Sequence, residues 1–492
     1  MKSSALPNTS APANVQPVDE ILPLGQMILY GLQHVLVMYA GAVAVPLVVG
    51  SAIGLTDAQI VILIGCDLVV CGLATIIQTV GVGRWLGCRL PLIQGCTFAA
   101  LIPLMLIGKE YGMGGISGAV MIAGLFTLLS APWICKLVRF FPKVVMGSIV
   151  TLIGLSIMPV AGEWIGGGSN MPNFGSFLSL SLAALTLVII LNIYTFGSGL
   201  FKNIAVLIGL FIGSAVWYFI GSLDFSRVRA SPWISVPVPM QFSYPEFHLV
   251  PILLLCMVMV VVMVETMSSM MAIGEIVGRK ADSETLKRGL LACGLATFCG
   301  SFFNLFPYAA FAQNVGLISL TGVKSRFVVA TSGCLLILMG LLTKIAALVV
   351  IVPKPVLGGA GVVMFGMVAV SGIRTLGQVN YRNNNNGMVI ALTLGLGLMP
   401  VLVPQLFSQL PELAQMFLHS GITVGTCVAI VANLILNGKG FHFKNRHFEV
   451  CEPEDSAVDE AQSTAARRVA IKTVRVWLLL RKAREQKEKE QL

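Results

Sequence analysis

The sequence is built of apolar runs long enough to cross a bilayer as helices, joined by short loops that are basic on alternate sides. A helix needs about 20 apolar residues to span the hydrocarbon. Runs of that kind lie near 25–50, 59–80, 90–107, 115–135, 144–161, 177–197, 203–221, 248–274, 287–303, 306–320, 327–344, 346–372, 387–404 and 412–436. They predict an all-α polytopic membrane protein of about fourteen segments. Charged residues make up only 11% of the chain, and the mean hydropathy is +0.88. A soluble protein of average make-up is about a quarter charged, so a lipid-facing surface is the consistent reading.

The loop cations test this division. One set of alternate loops holds Arg84 and Arg89, then Lys136, Arg139 and Lys143, then Lys202, then Arg279, Lys280, Lys287 and Arg288. The same set continues with Lys324 and Arg326, then Arg374 and Arg382, and ends with Lys439, Lys444 and Arg446. The opposite loops hold Lys109, Arg227, Arg229, Lys344 and Lys354. Cations favour the cytoplasmic side, so an even number of spans with both termini in the cytoplasm is expected, in the inner or plasma membrane. The net charge of +10 belongs to this topology, and no nucleic-acid partner is implied. Residues 1–20 are polar and lack a basic region leading into a cleavable apolar stretch, so the first span is expected to direct insertion. The external segment 222–247 contains Pro232, Pro237, Pro239 and Pro245 and reads as an extended strand or a short helix. In the C-terminal tail, 467–489 reads equally as an amphipathic stretch on the inner surface or as a disordered tail. The eleven cysteines show no metal or disulfide spacing and read as buried small hydrophobes. No cofactor or metal is expected.

The two interrupted segments fall third and tenth, at matching places in two halves of seven. Seven is odd, so such halves would be inserted with opposite topology. Paired broken segments of this kind point to a midplane site in an inverted-repeat transporter. The first contains Pro91, Gln94, Thr97 and Phe98; the second contains Pro307, Ala312, Gln313 and Asn314.

Ionisable residues deep in a span mark function by default. Glu265 lies far from either end of the eighth segment. With Ser268, Ser269 and Ala272 it falls at i, i+3, i+4 and i+7, a polar stripe that should face a cavity. A carboxylate there can accept two N–H donors from a flat heterocycle. It can also take up a proton, because loss of water disfavours its charge. The bland alternative is a buried Glu paired to a neighbouring helix. Gln313 and Asn314 offer amide donors and acceptors that suit an imide edge; the alternative for Asn314 is helix capping. His34 in the first segment reads equally as a site-orienting donor or as a satisfied structural residue. Asp67 in the second reads as a proton-coupling group or as a partner across a helix interface. Glu275, four residues before Arg279, reads as a surface pair.

The run Gln313-Asn314-Val315-Gly316-Leu317-Ile318-Ser319-Leu320-Thr321-Gly322 resembles the Gln-Asn-x-Gly-x4-Thr-Gly signature of the nucleobase–ascorbate transporter family. Gln33-His34, Glu265 and Pro355-Val356-Leu357-Gly358-Gly359-Ala360 carry the resemblance further, over roughly 22–440. It implies a fourteen-span, seven-plus-seven inverted repeat with core and gate domains and short strands in segments three and ten. The core would comprise 23–140 and 248–345, and the gate 141–247 and 346–440, between cytoplasmic tails at 1–22 and 441–492. It also implies a homodimer through the gate and proton symport by an elevator-like shift of the core. By position, Glu265 and Gln313 look like the main substrate-binding side chains, with Asn314 supporting affinity and His34, Thr97, Phe98, Ser269 and Ala312 completing the site. Gly316, Thr321 and Gly322 look like the selectivity motif. The motif resembles the purine branch, and Thr97, where many xanthine carriers have Asn, adds uric acid to xanthine as a candidate. Cys293 stands where many relatives have Asp, and Ser269 where xanthine carriers often do. Coupling through Glu265 alone, through Glu265 with Asp67, or to another ion therefore stays open. The alternatives are a uracil or other nucleobase permease, an inorganic-anion exchanger on the same architecture, and a passive channel. With five His and none at metal spacing within a span, a membrane-embedded hydrolase is disfavoured.

Overall fold

The computed structural model describes residues 16–137, 141–168, 172–220, 225–381 and 384–437. These belong to one compact unit ending at Lys439. The C-terminal tail, including 467–489, lies outside the described residues, as do 1–15 of the N-terminal tail. So do the loop cations Arg139, Arg382, Lys439, Lys444 and Arg446.

The chain opens with α1 (Leu24–Ala52) and α2 (Asp57–Val80). Thr56 and Gln59 form a reciprocal cap at the start of α2, satisfying backbone N–H groups that a helix start leaves free. Strand β1 (Gln94–Cys96) and a 3₁₀ turn (Phe98–Ala100) lead into α3 (Leu101–Leu137), which breaks at Gly112 with φ 64°. Then come α4 (Lys143–Ser156), α5 (Met158–Ile165), α6 (Phe177–Phe196), α7 (Leu200–Asn203), α8 (Ala205–Ile220) and α9 (Ser226–Ala230). The second half holds α10 (Leu249–Val277), α11 (Ser283–Ser301), β2 (Tyr308–Ala310) and α12 (Ala312–Thr321). It closes with α13 (Arg326–Leu341), α14 (Thr343–Val350), α15 (Lys354–Leu376), α16 (Asn384–Leu402), α17 (Glu412–His419) and α18 (Gly421–Asn437).

Among the described residues, eight helices are long and apolar enough to cross a membrane. A ninth is added if α13 and α14, bent by 76°, are one span; α8 and α18 are shorter apolar helices. Large apolar side chains on α6 and α8 point outward, with Phe177 88% and Phe211 77% exposed. Such a surface is stable where lipid replaces water.

Several expected segments differ in the structure, among them 144–161, which divides at Ile157 between α4 and α5. The run 346–372 is interrupted: 346–350 belongs to α14, and α15 begins only at Lys354, after Pro353. Proline favours a helix's first turn and disfavours its interior. The run 412–436 divides at Ser420. Among its described residues, 225–247, the segment 222–247 holds the short helix α9 and then irregular backbone from Ser231. That backbone is tied down by Met240 N to Phe302 O (2.6 Å), Phe242 N to Asn304 Oδ1 (3.2 Å) and Glu246 N to Gly114 O (2.9 Å).

Small residues let the helices approach closely, as membrane packing requires. Gly65 and Gly72 on α2 meet Gly340 and Gly333 on α13. A methyl carbon built on Gly72 would lie 2.5 Å from the Gly333 carbonyl oxygen, and one on Gly340 would lie 2.6 Å from that of Gly65.

On the basic side, Arg279 pairs with Asp19 (3.5 Å) rather than with Glu275. Asp19 also binds Arg326 at 2.6 Å. The cysteines are not uniformly buried: Cys299, Cys334 and Cys427 are exposed.

Candidate functional site

The two strands meet where the broken segments cross. They pair antiparallel, Gln94 with Ala310, Gly95 with Ala309 and Cys96 with Tyr308. Two further bonds lengthen the ladder, Thr97 N to Pro307 O (2.9 Å) and Phe311 N to Ile93 O (3.0 Å). A two-stranded ribbon has open edges, which are costly away from water. Side chains from three helices satisfy them. Thr75 of α2 accepts from Gln94 N (3.1 Å), Thr266 of α10 from Ala310 N (3.3 Å) and Thr297 of α11 from Tyr308 N (3.1 Å). Cys293, also on α11, donates to Tyr308 O at 2.8 Å.

Asp67 lies behind this ribbon. Its Oδ1 accepts from Tyr308 Oη at 2.7 Å and from Cys96 Sγ at 2.9 Å, one donor from each strand. Cys71 Sγ approaches Oδ2 at 3.7 Å. The residue is 1% exposed. It does not line the cavity described next.

Glu265 sits one residue before Thr266 in the middle of α10. It lines a cavity of about 60 Å³ between α10 and the pair α4 and α15. Ser268 and Ser269 share the cavity wall, as their helical spacing predicts; Met146, Val150, Ser371 and Thr375 face them. Glu265 Oε2 is buried with no hydrogen-bond partner, so the pairing to a neighbouring helix is not made at this atom. A lone buried acceptor is costly unless something else supplies a donor.

At the start of α12, Phe311 occupies the N-cap position and no side chain caps the helix. Gln313 is half-buried in the first turn. Asn314 does not cap: its Nδ2 reaches across to α1, 3.0 Å from His34 O and 3.1 Å from His34 Nδ1. Asn314 Oδ1 is buried and free. Thr97 is buried, and its Oγ1 accepts from Ala99 N, capping the 3₁₀ turn that carries Phe98. The Phe98 ring packs 6.2 Å from that of Phe311.

The rest of the signature run has another place. Gly316 is exposed, with nothing within 4 Å of a methyl built on it. Thr321 Oγ1 donates to Leu317 O, and Gly322, at φ 69°, ends α12 in the left-handed conformation. Gly322 lies nine residues beyond Gln313, about 13 Å along the helix. None of the three lines the cavity, and neither do Gln313, Asn314, His34, Thr97 or Phe98; of the expected site residues Glu265 and Ser269 line it. Ala312 contributes the first residue of α12.

Sequence reasoning missed the far wall of the cavity, Met146, Ile149, Val150, Ser371 and Thr375. It also missed the hydroxyls that hold the ribbon. Thr75, Thr266 and Thr297 were visible as polar residues in apolar helices, but their common target was not.

The profile of a permease family, Xan_ur_permease, matches residues 25–406. The uric acid transporter UacT of Escherichia coli (strain K12) is 42% identical over 486 residues, 98% of each chain. The xanthine permease of Bacillus subtilis (strain 168) is 41% identical over 413 residues, 84% of this chain and 94% of that one. Among solved structures, the transmembrane domain of the cyanobacterium bicarbonate transporter BicA has a TM-score of 0.56 at 15% identity, covering 85% of this chain and all of that one. The SLC26A9 structure has a TM-score of 0.57 at 13% identity, covering 86% of this chain and 67% of that one. These two share the fold.

Proposed function

Because this chain belongs to the nucleobase–ascorbate transporter family of permeases, we propose that it is a secondary active transporter importing a purine nucleobase, xanthine or uric acid, with a proton. Its similarity to uric acid and xanthine permeases supports the substrate class. The observation that carries the reading is the unpartnered Glu265 oxygen in the cavity between α10 and the α4–α15 pair. A purine edge presents N–H donors to such an acceptor.

In this account Glu265 and Gln313 hold the edge of the flat base. Asn314, fixed by His34, offers its free Oδ1 as a further acceptor, and Phe98 packs against a face of the ring. Thr97 and Ala312 place backbone groups of the two broken segments beside it, and Ser269 leaves room on the Glu265 side. Gly316, Thr321 and Gly322 tune selectivity indirectly, by setting where α12 starts and stops. The proton is carried by Glu265. Asp67, behind the ribbon with donors from both strands, keeps that ribbon in register.

The transport cycle is an elevator-like shift of a core (23–140 and 248–345) against a gate (141–247 and 346–440). The helices make up fourteen spans in two inverted repeats, with both termini in the cytoplasm, the protein in the inner or plasma membrane and two copies joined through the gate. Glycine contacts across α2 and α13 support a rigid core, and the cavity between α10 and α4–α15 lies where core and gate would part.

The test is uptake of labelled xanthine and urate by cells or proteoliposomes, with a competition panel of purines, pyrimidines, sulfate and bicarbonate. Accumulation that purines alone compete for, and that a protonophore abolishes, is expected. Competition by uracil or by an inorganic anion in preference to purines would defeat the assignment.

A further inference from the structure

Three aromatic rings form a continuous stack running from the first broken segment into α15 and α5. Phe98 meets Phe365 of α15 edge to face, with centroids 5.9 Å apart and planes at 76°. Phe365 in turn packs on Trp164 of α5 at 6.4 Å. Phe365 is fully buried, and Phe98 and Trp164 are nearly so. Gly361, one turn before Phe365, lies against Ala161 and both rings: a methyl built there would stand 3.3 Å from the Ala161 methyl and 3.6 Å from Phe365 and Trp164.

The stack and the cavity occupy different levels. The cavity is lined by Met146, Ile149 and Val150 early in α4, and by Ser371 and Thr375 late in α15. Lys143 begins α4, Arg374 lies in the last turn of α15 and Arg279 follows α10, so these residues sit toward the cation-rich side. Phe365 precedes Ser371 by six residues, about 9 Å along the axis. Trp164 lies beyond the end of α4. The rings are therefore stacked on the opposite side of the cavity from the cations.

We propose that Phe365 and Trp164 are the fixed half of a seal closing the solute path on its outer side, with Phe98 as the half that moves. The proposal rests on the reading above that 23–140 and 248–345 shift against the remainder. Aromatic edge-to-face packing suits a reversible closure, because it excludes water without a polar bond that must be broken and remade. In the arrangement described, the seal is shut and the cavity lies on the cytoplasmic side of it. When the core shifts, Phe98 leaves Phe365 and the outer path opens.

The experiment uses the full chain in right-side-out and inside-out membrane vesicles, with a membrane-impermeant thiol reagent and Val150→Cys as reporter, read as labelling above that of the parent chain. Labelling of V150C from the cytoplasmic side alone is expected. Adding Phe365→Ala should make the same cysteine react from outside as well, at least tenfold faster than in V150C alone, whereas Phe365→Met, which refills the space, should keep it protected. Unchanged labelling from the inner side reports that the variant is folded. Trp164→Ala replaces Phe365→Ala if the latter does not reach the membrane. Continued protection from outside in a folded Phe365→Ala or Trp164→Ala variant overturns the proposal, as does outside labelling of V150C with the rings intact. The readout needs no solute, so a wrong substrate assignment leaves the labelling pattern unchanged.

Discussion

Asn314 and His34 form one unit across two helices: the Asn314 amide nitrogen lies 3.0 Å from the His34 carbonyl oxygen and 3.1 Å from its ring Nδ1. A carbonyl oxygen only accepts, so the Asn314 atom facing it is the NH₂ group. The same nitrogen then donates to Nδ1, and the His34 proton resides on Nε2. Neutral His34 thus fixes the amide so that its Oδ1 stays free.

This relationship predicts coupled variants. Asn314→Ala and His34→Ala should each weaken substrate binding by about 1–3 kcal/mol, the cost of disturbing a buried hydrogen-bonded group. The double variant should lose little more than either single one, since residues in one network are not additive. Apparent KM for xanthine and urate in the three variants checks this. Additive losses would mean that His34 and Asn314 act separately.

Asp67 should behave as a fastener of the ribbon. Asp67→Ala leaves the Tyr308 hydroxyl and the Cys96 thiol without their acceptor, at about 1–3 kcal/mol for each buried group left unpaired. Asp67→Asn keeps one oxygen acceptor and should lose markedly less. Melting temperatures of the detergent-solubilised variants test the order. Asp67→Asn should also retain accumulation driven by a proton gradient; its loss in a stable variant would move the coupling role to Asp67.

Two glycines should respond in opposite ways. Gly72→Ala places a methyl 2.5 Å from the Gly333 carbonyl oxygen, and overpacking of this kind costs about 1–3 kcal/mol. Gly316→Ala meets nothing within 4 Å and sits inside a helix, where the change should stabilise by about 0.5–1 kcal/mol. Thermal denaturation of both variants decides the matter.

Much of this site could be read from residues alone, for identifiable reasons. Glu265 stood out because a carboxylate in an apolar run is costly, and the helical spacing of Ser268 and Ser269 already aimed it at a cavity. The two breaks were visible because Pro91 and Pro307 interrupt short runs at matching positions, whereas the strands themselves were implied only by the family resemblance. The break between α13 and α14 falls at Leu342, two residues after Gly340 and close to the boundary expected between 327–344 and 346–372, but its sharp bend was not legible. The partners of Asp67 were hidden by distance in sequence, since Cys96 and Tyr308 lie 29 and 241 residues away. Arg279 was misassigned for a related reason: local spacing offered Glu275, whereas the fold brings Asp19 closer.

The most direct test is uptake of labelled xanthine and urate by Glu265→Gln, matched to the parent chain for amount in the membrane. Gln keeps the size of the side chain but removes the charge that accepts two donors and the group that carries the proton. The account predicts at least a hundredfold fall in uptake of both purines, with the residual uptake indifferent to the proton gradient. Transport by Glu265→Gln at the parent rate, still driven by protons, would contradict it.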